Sequence, residues 1–363
     1  MNLKITALLG LILLLSACQS TQKIKIGILT PQTGDLAFLG TNIVRSAELA
    51  IQELGVQDQV ELVIEDAGTV GGGKDAVTAY RKLVDLDKVQ FIIDGMASDG
   101  TMAVAPFLDQ DKVVMITPLT GGENVDNAAE FLFRNGPSDI LAGTKPASDL
   151  TKKFAFTKIV LFTDNAEYTL DISKHFRAAY KGQIVSDEVI LPDKTDYRTE
   201  LLKMQGKGAQ AIVINTASGN SAMYLMKQLY EMGNKLPILA NFIAFNANTI
   251  TGAGKGVEGV YIYDPEFDET SPLTQAFFVK YTKKYGTAPT IPFHTTGTYD
   301  AIKMGLEAIN VVGYDGQKIH DYLLSHIQNW QGMNGLVSFN DKGNTETGFT
   351  LKQIKNSSLI KPI

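Results

Sequence analysis

Two successive series of short β-branched apolar runs, each followed by a segment with apolar residues at helical spacing, constrain this chain more than any other feature of its sequence. Residues 23–29 read as a strand and 41–54 as a helix. Strand-like 60–65, helical 76–86, strand-like 90–93, helical 101–108 and strand-like 113–116 follow. Residues 131–135 read as a connecting strand, and then the alternation restarts. Helix 140–152, strand 158–162, helix 168–180 and strand 183–190 are succeeded by helix 196–204, strand 211–215, helix 222–232 and strand 237–240. Strands alternating with helices form βαβ units around a parallel sheet. The expected fold class is α/β, with two Rossmann-like lobes.

Past Asp264 and Pro265 come helical stretches at 273–285, 298–311 and 319–324 with no strands of their own, so they are expected to return and cover the first lobe. The tail from Gly335, with its Asp341-Lys342-Gly343-Asn344 turn, reads as a hairpin. A chain of 363 residues, 44% of them hydrophobic, exceeds what one core usually organises. The expected division is 23–137 with 266–335 as lobe 1, and 138–265 with 336–363 as lobe 2.

Ahead of the first strand, Lys4 precedes an apolar run from residue 8 to residue 15, closed by the small residues Ser16 and Ala17. That is the plan of a signal peptide, residues 1–17. The run is too short to span a hydrocarbon core comfortably, and Gln19, Ser20, Thr21 and Gln22 follow at once. The single cysteine, Cys18, closes Leu15-Ser16-Ala17-Cys18, which resembles the lipobox of bacterial lipoproteins. The expectation is a chain lipidated at Cys18, with 18–22 as linker and the bilayer as a partner through that anchor. Two or more acyl chains suffice for stable tethering, each buried methylene contributing about 0.8 kcal/mol. With Cys18 consumed, no disulfide is available, so packing must stabilise the mature chain.

In the lobes, Pro31-Gln32-Thr33-Gly34-Asp35-Leu36-Ala37-Phe38-Leu39-Gly40 resembles the first strand-to-helix loop of type I periplasmic binding proteins of the leucine/isoleucine/valine-binding branch. Glu65-Asp66-Ala67, Met115-Ile116-Thr117-Pro118, Thr195-Asp196-Tyr197 and Gly297-Thr298-Tyr299-Asp300-Ala301 agree in order and spacing. The segment from Gly335 to Gly343 resembles the family's closing segment. The resemblance covers essentially the whole mature chain. It implies lobes joined by a multi-strand hinge, a small-molecule ligand held between them, no cofactor, and an ABC permease in the inner membrane as partner.

The resemblance also implies site residues. Ser98, in Met96-Ala97-Ser98-Asp99-Gly100-Thr101, falls where the family meets the ligand carboxylate, and the bland alternative is that Ser98 or Asp99 only caps a helix. Thr120 and Gly121, in Leu119-Thr120-Gly121-Gly122, match a loop that offers backbone and hydroxyl groups, with an ordinary glycine turn as the alternative. Tyr168 matches a second-lobe aromatic that meets the ligand on closure, with lobe-core packing as the alternative.

Three positions depart from the pattern. Leu39, with Phe38 beside it, stands where the family has a large aromatic. Phe242 stands where amino acid-binding members place an acid, and His294 aligns with another aromatic or simply starts a helix. An ammonium buried without a facing carboxylate is poorly solvated, so either the ligand is a small polar solute other than an α-amino acid, or Asp164 or Glu167 substitutes for the acid absent at Phe242.

Other chemistry is excluded. Gly68-Thr69-Val70-Gly71-Gly72-Gly73-Lys74 has the spacing of a phosphate-binding loop, but Asp75 replaces the hydroxyl that holds magnesium and would repel phosphates. The net charge of −6 speaks against nucleic acid. No Gly-x-Ser-x-Gly or His-Glu-x-x-His is present, and His175, His294, His320 and His326 are dispersed. The chain is expected to be a binding protein and not an enzyme. The alternatives are an envelope lipoprotein that regulates a cell-wall enzyme, or a ligand-presenting sensor.

Overall fold

The computed structural model describes residues 23–34, 36–68, 72–245 and 247–360. Residues 1–17, expected as a signal peptide, and Cys18 lie outside the described residues. No described helix is long and apolar enough to cross a membrane.

The first series folds as expected. Strands β1 (Ile24–Thr30), β2 (Val60–Asp66), β3 (Phe91–Asp94), β4 (Val114–Thr117) and β5 (Leu132–Arg134) form one parallel sheet in the order β2-β1-β3-β4-β5. Residues 131–135, expected as a connection, thus supply the sheet's edge strand, in register with β4 from Met115 opposite Leu132. β3 and β4 are buried at every position because helices cover both faces. Those between the strands are α1 (Ala37–Glu53), α2 (Gly73–Arg81), which widens into a π-turn over Lys82–Leu86, and α3 (Ser98–Asp111).

The second series begins with α4 (Asp139–Lys152), β6 (Lys158–Asp164), α5 (Glu167–Ala179) and β7 (Gln183–Ile190). It continues through α6 (Arg198–Leu202), β8 (Ala211–Asn215), α7 (Gly219–Glu231), β9 (Ile238–Asn241), α8 (Ala247–Ala253) and β10 (Tyr261–Pro265). α6 is shorter than the spacing predicts. Tyr197 is buried instead as a non-helical residue whose N–H donates to Gln228 Oε1 at 2.8 Å.

Three helices, α9 (Pro272–Tyr285), α10 (Pro292–Val312) and α11 (Gly316–His326), then return to the first sheet. Phe277, Tyr281, Ile302, Met304 and Leu323 join its core. Ser271 starts α9 by accepting from Thr274 N–H, and Gly286, at φ 77°, ends it, so the ends of this helix are written in Ser-Pro and Gly.

The tail differs from expectation. The hairpin pairs β11 (Trp330–Gly332) with β12 (Gly335–Val337), reversing at Met333 and Asn334, not at residues 341–344. The 341–344 turn forms because Asn340 Oδ1 accepts from the N–H of Lys342 and of Asn344, each at 3.0 Å. It lies along the edge of β5, where Arg134 N–H donates to Gly343 O and Thr345 N–H to Arg134 O. The chain then adds β13 (Phe349–Lys355), antiparallel to β10, and β14 (Ser358–Ile360), antiparallel to β13. The second sheet reads β14-β13-β10-β9-β8-β6-β7.

In both lobes the first strand after the start lies between the second and third, giving the order 2-1-3-4-5. Ligands bind such sheets at the carboxyl ends of the strands flanking the point where the order reverses. That is β1/β3 in the first lobe and β6/β8 in the second.

α10 seals the first sheet at Gly305, where a Cβ would lie 2.2 Å from the fully buried Phe91 ring. Gly305→Ala is therefore expected to destabilise the protein by about 1–3 kcal/mol through overpacking, measured by urea unfolding. A midpoint unchanged from the native protein would contradict this packing.

Candidate functional site

Both reversal points open on one cleft. The fully buried Asp94, at the end of β3, ties two of its loops together. Its Oδ1 accepts from Met96 N–H at 2.8 Å, and its Oδ2 accepts from the hydroxyls of Thr101 at 2.7 Å and Thr120 at 3.3 Å. Burial pushes this carboxyl up to about 6, against the pull of those hydrogen bonds. In the second lobe, Asp164 at the end of β6 accepts from Ala217 N–H and Ser218 N–H and so fixes the loop after β8. Burial likewise raises its carboxyl to about 6.

The cleft wall includes Leu36, Leu39, Ser98, Leu119 and Thr120 from the first lobe, and Ala166, Glu167, Tyr168, Phe242 and Ile243 from the second. Asp139 and His294 also line it, with Met96, Ala97, Asp99, Pro137 and Ala217, and no lining residue is Lys or Arg. The space between these walls is about 60 Å³, room for several waters or part of a small solute.

The lobes touch across it. The Phe242 ring stacks on His294 with centroids 5.3 Å apart and planes at 17°. Ile243 packs against the small apolar cluster of Leu36, Leu39 and Ile291. Glu123 N–H donates to Asp171 Oδ2 at 2.9 Å.

The residues singled out in the sequence are brought together unequally. Ser98 is the first residue of α3 and is 5% exposed, while the N-cap position is Ala97, whose side chain cannot cap. Neither Ser98 nor Asp99 therefore holds that position, and the positive end of α3 faces the cleft at Ser98. Leu39 is buried in the wall. The Thr120 hydroxyl is 3.0 Å from those of Thr101 and Thr117, so it is engaged within the loop network. Gly121 stands behind the wall. Its carbonyl accepts from Asp139 N–H at 2.7 Å, and a Cβ on it would lie 2.0 Å from Pro137 O, so only glycine fits.

Tyr168 and His294 sit in the wall with buried polar atoms, the Tyr168 hydroxyl and His294 Nε2, that have no hydrogen-bond partner. Burial, then the nearby Asp139 charge, raises the phenol above its ordinary range, against the pull of the neighbouring Asn241 side chain. Burial alone depresses His294 to about 3, so its imidazole is neutral at ordinary pH.

Of the two acids considered as replacements at Phe242, Asp164 is not in the wall, whereas Glu167 is, with Asn124 donating to its Oε1 at 3.4 Å. The acid that sequence reasoning missed is Asp139. It is the first residue of α4, only 3% exposed, and its Oδ2 is buried without a partner. Burial, then the charge of Asp171, holds its carboxyl well above the usual range, against the pull of Arg134. The signal was there in Pro137-Ser138-Asp139, a polar helix start just after an edge strand. Glu123, Asp171 and His175 form the one group of potential metal donors found among the described residues, just outside the wall.

This architecture has known counterparts. The periplasmic binding protein family model matches residues 23–358. The Leu/Ile/Val-binding protein homolog 3 of Brucella melitensis is 22% identical over 292 residues, covering 78% of each chain. The leucine-binding protein LivK of Thermotoga maritima superposes with a TM-score of 0.85 at 25% identity, over 94% of this chain and 98% of that one. The branched-chain amino acid transporter substrate-binding protein LivJ of Streptococcus pneumoniae, in complex with isoleucine, gives 0.84 at 27% identity over 94% and 100%. With its two 2-1-3-4-5 lobes facing one cleft and a family match along nearly its whole length, the chain belongs to the periplasmic binding protein family.

Proposed function

We propose that this chain is the solute-binding component of an ABC importer, exported, tethered to a membrane through Cys18, and closing its lobes on a small amino acid-like solute with an ammonium group. The observation that carries this reading is the convergence in one cleft of three buried polar atoms without partners: Asp139 Oδ2, the Tyr168 hydroxyl and His294 Nε2. A buried donor or acceptor left unpaired costs about 1–3 kcal/mol. A solute that supplies the missing partners removes that cost only when the lobes are shut, and so shifts the population toward the closed form. The match to LivJ, whose solved complex contains isoleucine, supports the same class of solute.

In this reading Asp139 takes the ammonium, replacing the acid absent at Phe242. The α3 start at Ser98 faces the solute carboxylate with its helix dipole. Leu39, Leu119 and Phe242 pack its apolar part, and Thr120 and Gly121 hold the loop behind it. Segments 135–138, 266–271 and 340–348, which link the two sheets, act as the hinge.

Two predictions follow from the titrating groups. Asp139 holds a proton above the usual carboxylate range in the solute-free protein, so an ammonium must displace it. Binding is expected to release protons, giving a calorimetric enthalpy that varies with buffer, and to tighten as pH rises. In calorimetry with amino acids and with aromatic acids, Asp139→Asn should weaken binding of an amine-bearing solute at least about 30-fold, the low end of about 2 kcal/mol for breaking a buried charge pair. Unchanged affinity, or binding only of acids without an amine, would overturn the reading.

His294 is depressed in the folded chain to about 3, whereas an unfolded imidazole titrates near 6.5. Between those values the unfolded chain binds the extra proton, so stability falls as pH falls, by up to about 1.4 kcal/mol per pH unit. Urea unfolding from pH 6.5 to 4.5 should cost the native protein about 2 kcal/mol more than His294→Gln. Equal losses would show that the imidazole is not held neutral.

A further inference from the structure

Beside the solute cleft, three side chains from the two lobes meet in a geometry that neither solute binding nor packing uses. Glu123 stands in the first-lobe loop after β4, while Asp171 and His175 lie one turn apart on α5 of the second lobe. His175 Nε2 is 3.5 Å from Glu123 Oε2 and 3.4 Å from Asp171 Oδ1. Ligand atoms bound to a tetrahedral zinc at about 2.0–2.1 Å are separated by roughly 3.3–3.4 Å, so these spacings match edges of such a polyhedron. The Nε2 atom is itself buried and has no hydrogen-bond partner. The Asp171 and His175 side chains are 9% and 13% exposed.

The two carboxylates attract a cation, and here a lysine supplies it. Lys174 reaches over the group from solvent, its ammonium 2.5 Å from Glu123 Oε2 and 3.8 Å from Asp171 Oδ1. At 60% exposure this side chain is free to swing away. Two carboxylates would neutralise a divalent ion, and an imidazole nitrogen selects a transition metal over calcium or magnesium, which prefer oxygen.

We propose that Glu123, Asp171 and His175 form a divalent transition-metal site of the zinc type that clamps the two lobes together. Because its donors come from both lobes, the site is complete only when they are closed. Metal and solute each favour that form, so each tightens the other by the same factor. The clamp is independent of what the cleft binds.

The test is calorimetric titration of the full-length, solute-free protein with zinc chloride, alongside its thermal unfolding. Saturable one-to-one binding with a rise in Tm is expected. Glu123→Gln, a change on a half-exposed loop side chain that leaves the fold intact, and His175→Gln should each lose the rise. Lys174→Met should tighten zinc binding about tenfold by removing a like charge about 4 Å from the ion. Absence of saturable binding by the native protein, equal affinity in Glu123→Gln, or an equal response to calcium chloride would overturn the proposal. No solute enters the titration, so its outcome is separate from that of the solute-binding reading.

Discussion

The demand that buried hydrogen-bonding groups find partners organises this molecule, because its parallel sheets bury the loops at their carboxyl ends between two lobes. Asp94 meets the demand by collecting Met96, Thr101 and Thr120 around one carboxylate. Asp164 does the same for the loop after β8, and Asp300 for the β11–β12 hairpin through Met333 N–H at 2.8 Å. With the loop backbones fixed in this way, Asp139, Tyr168 and His294 are held facing the cleft with a polar atom each unpaired. A rigid frame around unmet hydrogen bonds is what a binding site requires.

Much of the fold was legible because local pattern and global packing agree. β8 falls at 211–215 as read, since Ala-Ile-Val-Ile-Asn is an unbroken buried run between turns. The return of α9 to α11 to the first sheet was likewise readable from their lack of strands. The start of α10 was not. Residues 292–297 carry Phe, His, two Thr and Gly, which break the apolar spacing, although Pro292 at the first helical position marks the start. β10 and β13 were missed, and the hairpin misplaced, because the tail's pairing partners lie far off in sequence: Tyr261 pairs with Gln353, and Arg134 bridges to Asn344.

The site divides along the same line. Ser98, Tyr168, Phe242 and His294, named from the family resemblance, all line the cleft because each follows a strand or opens a helix in a fixed place. The identity of the buried acid was hidden because it depends on how the lobes meet. Read alone, Phe242 removes a carboxylate. In three dimensions it stacks on His294, and a buried acid, Asp139, lies in the same wall at the crossover between lobes. The second-lobe wall sets Glu167 beside the apolar Ala166, Phe242 and Ile243, and Asp139 stands on the hinge side.

In the proposed reading closure and solute recognition are a single event, since the stacked pair and the unpaired acid belong to the same shut cleft. The most direct measurement of this claim is mass spectrometry of small molecules released when the purified soluble protein is denatured. The account predicts a low-mass amine, released in proportion to the protein and absent from an Asp139→Asn preparation. Release of an acid with no amine, or of the same amine in the same amount from the variant, would contradict it.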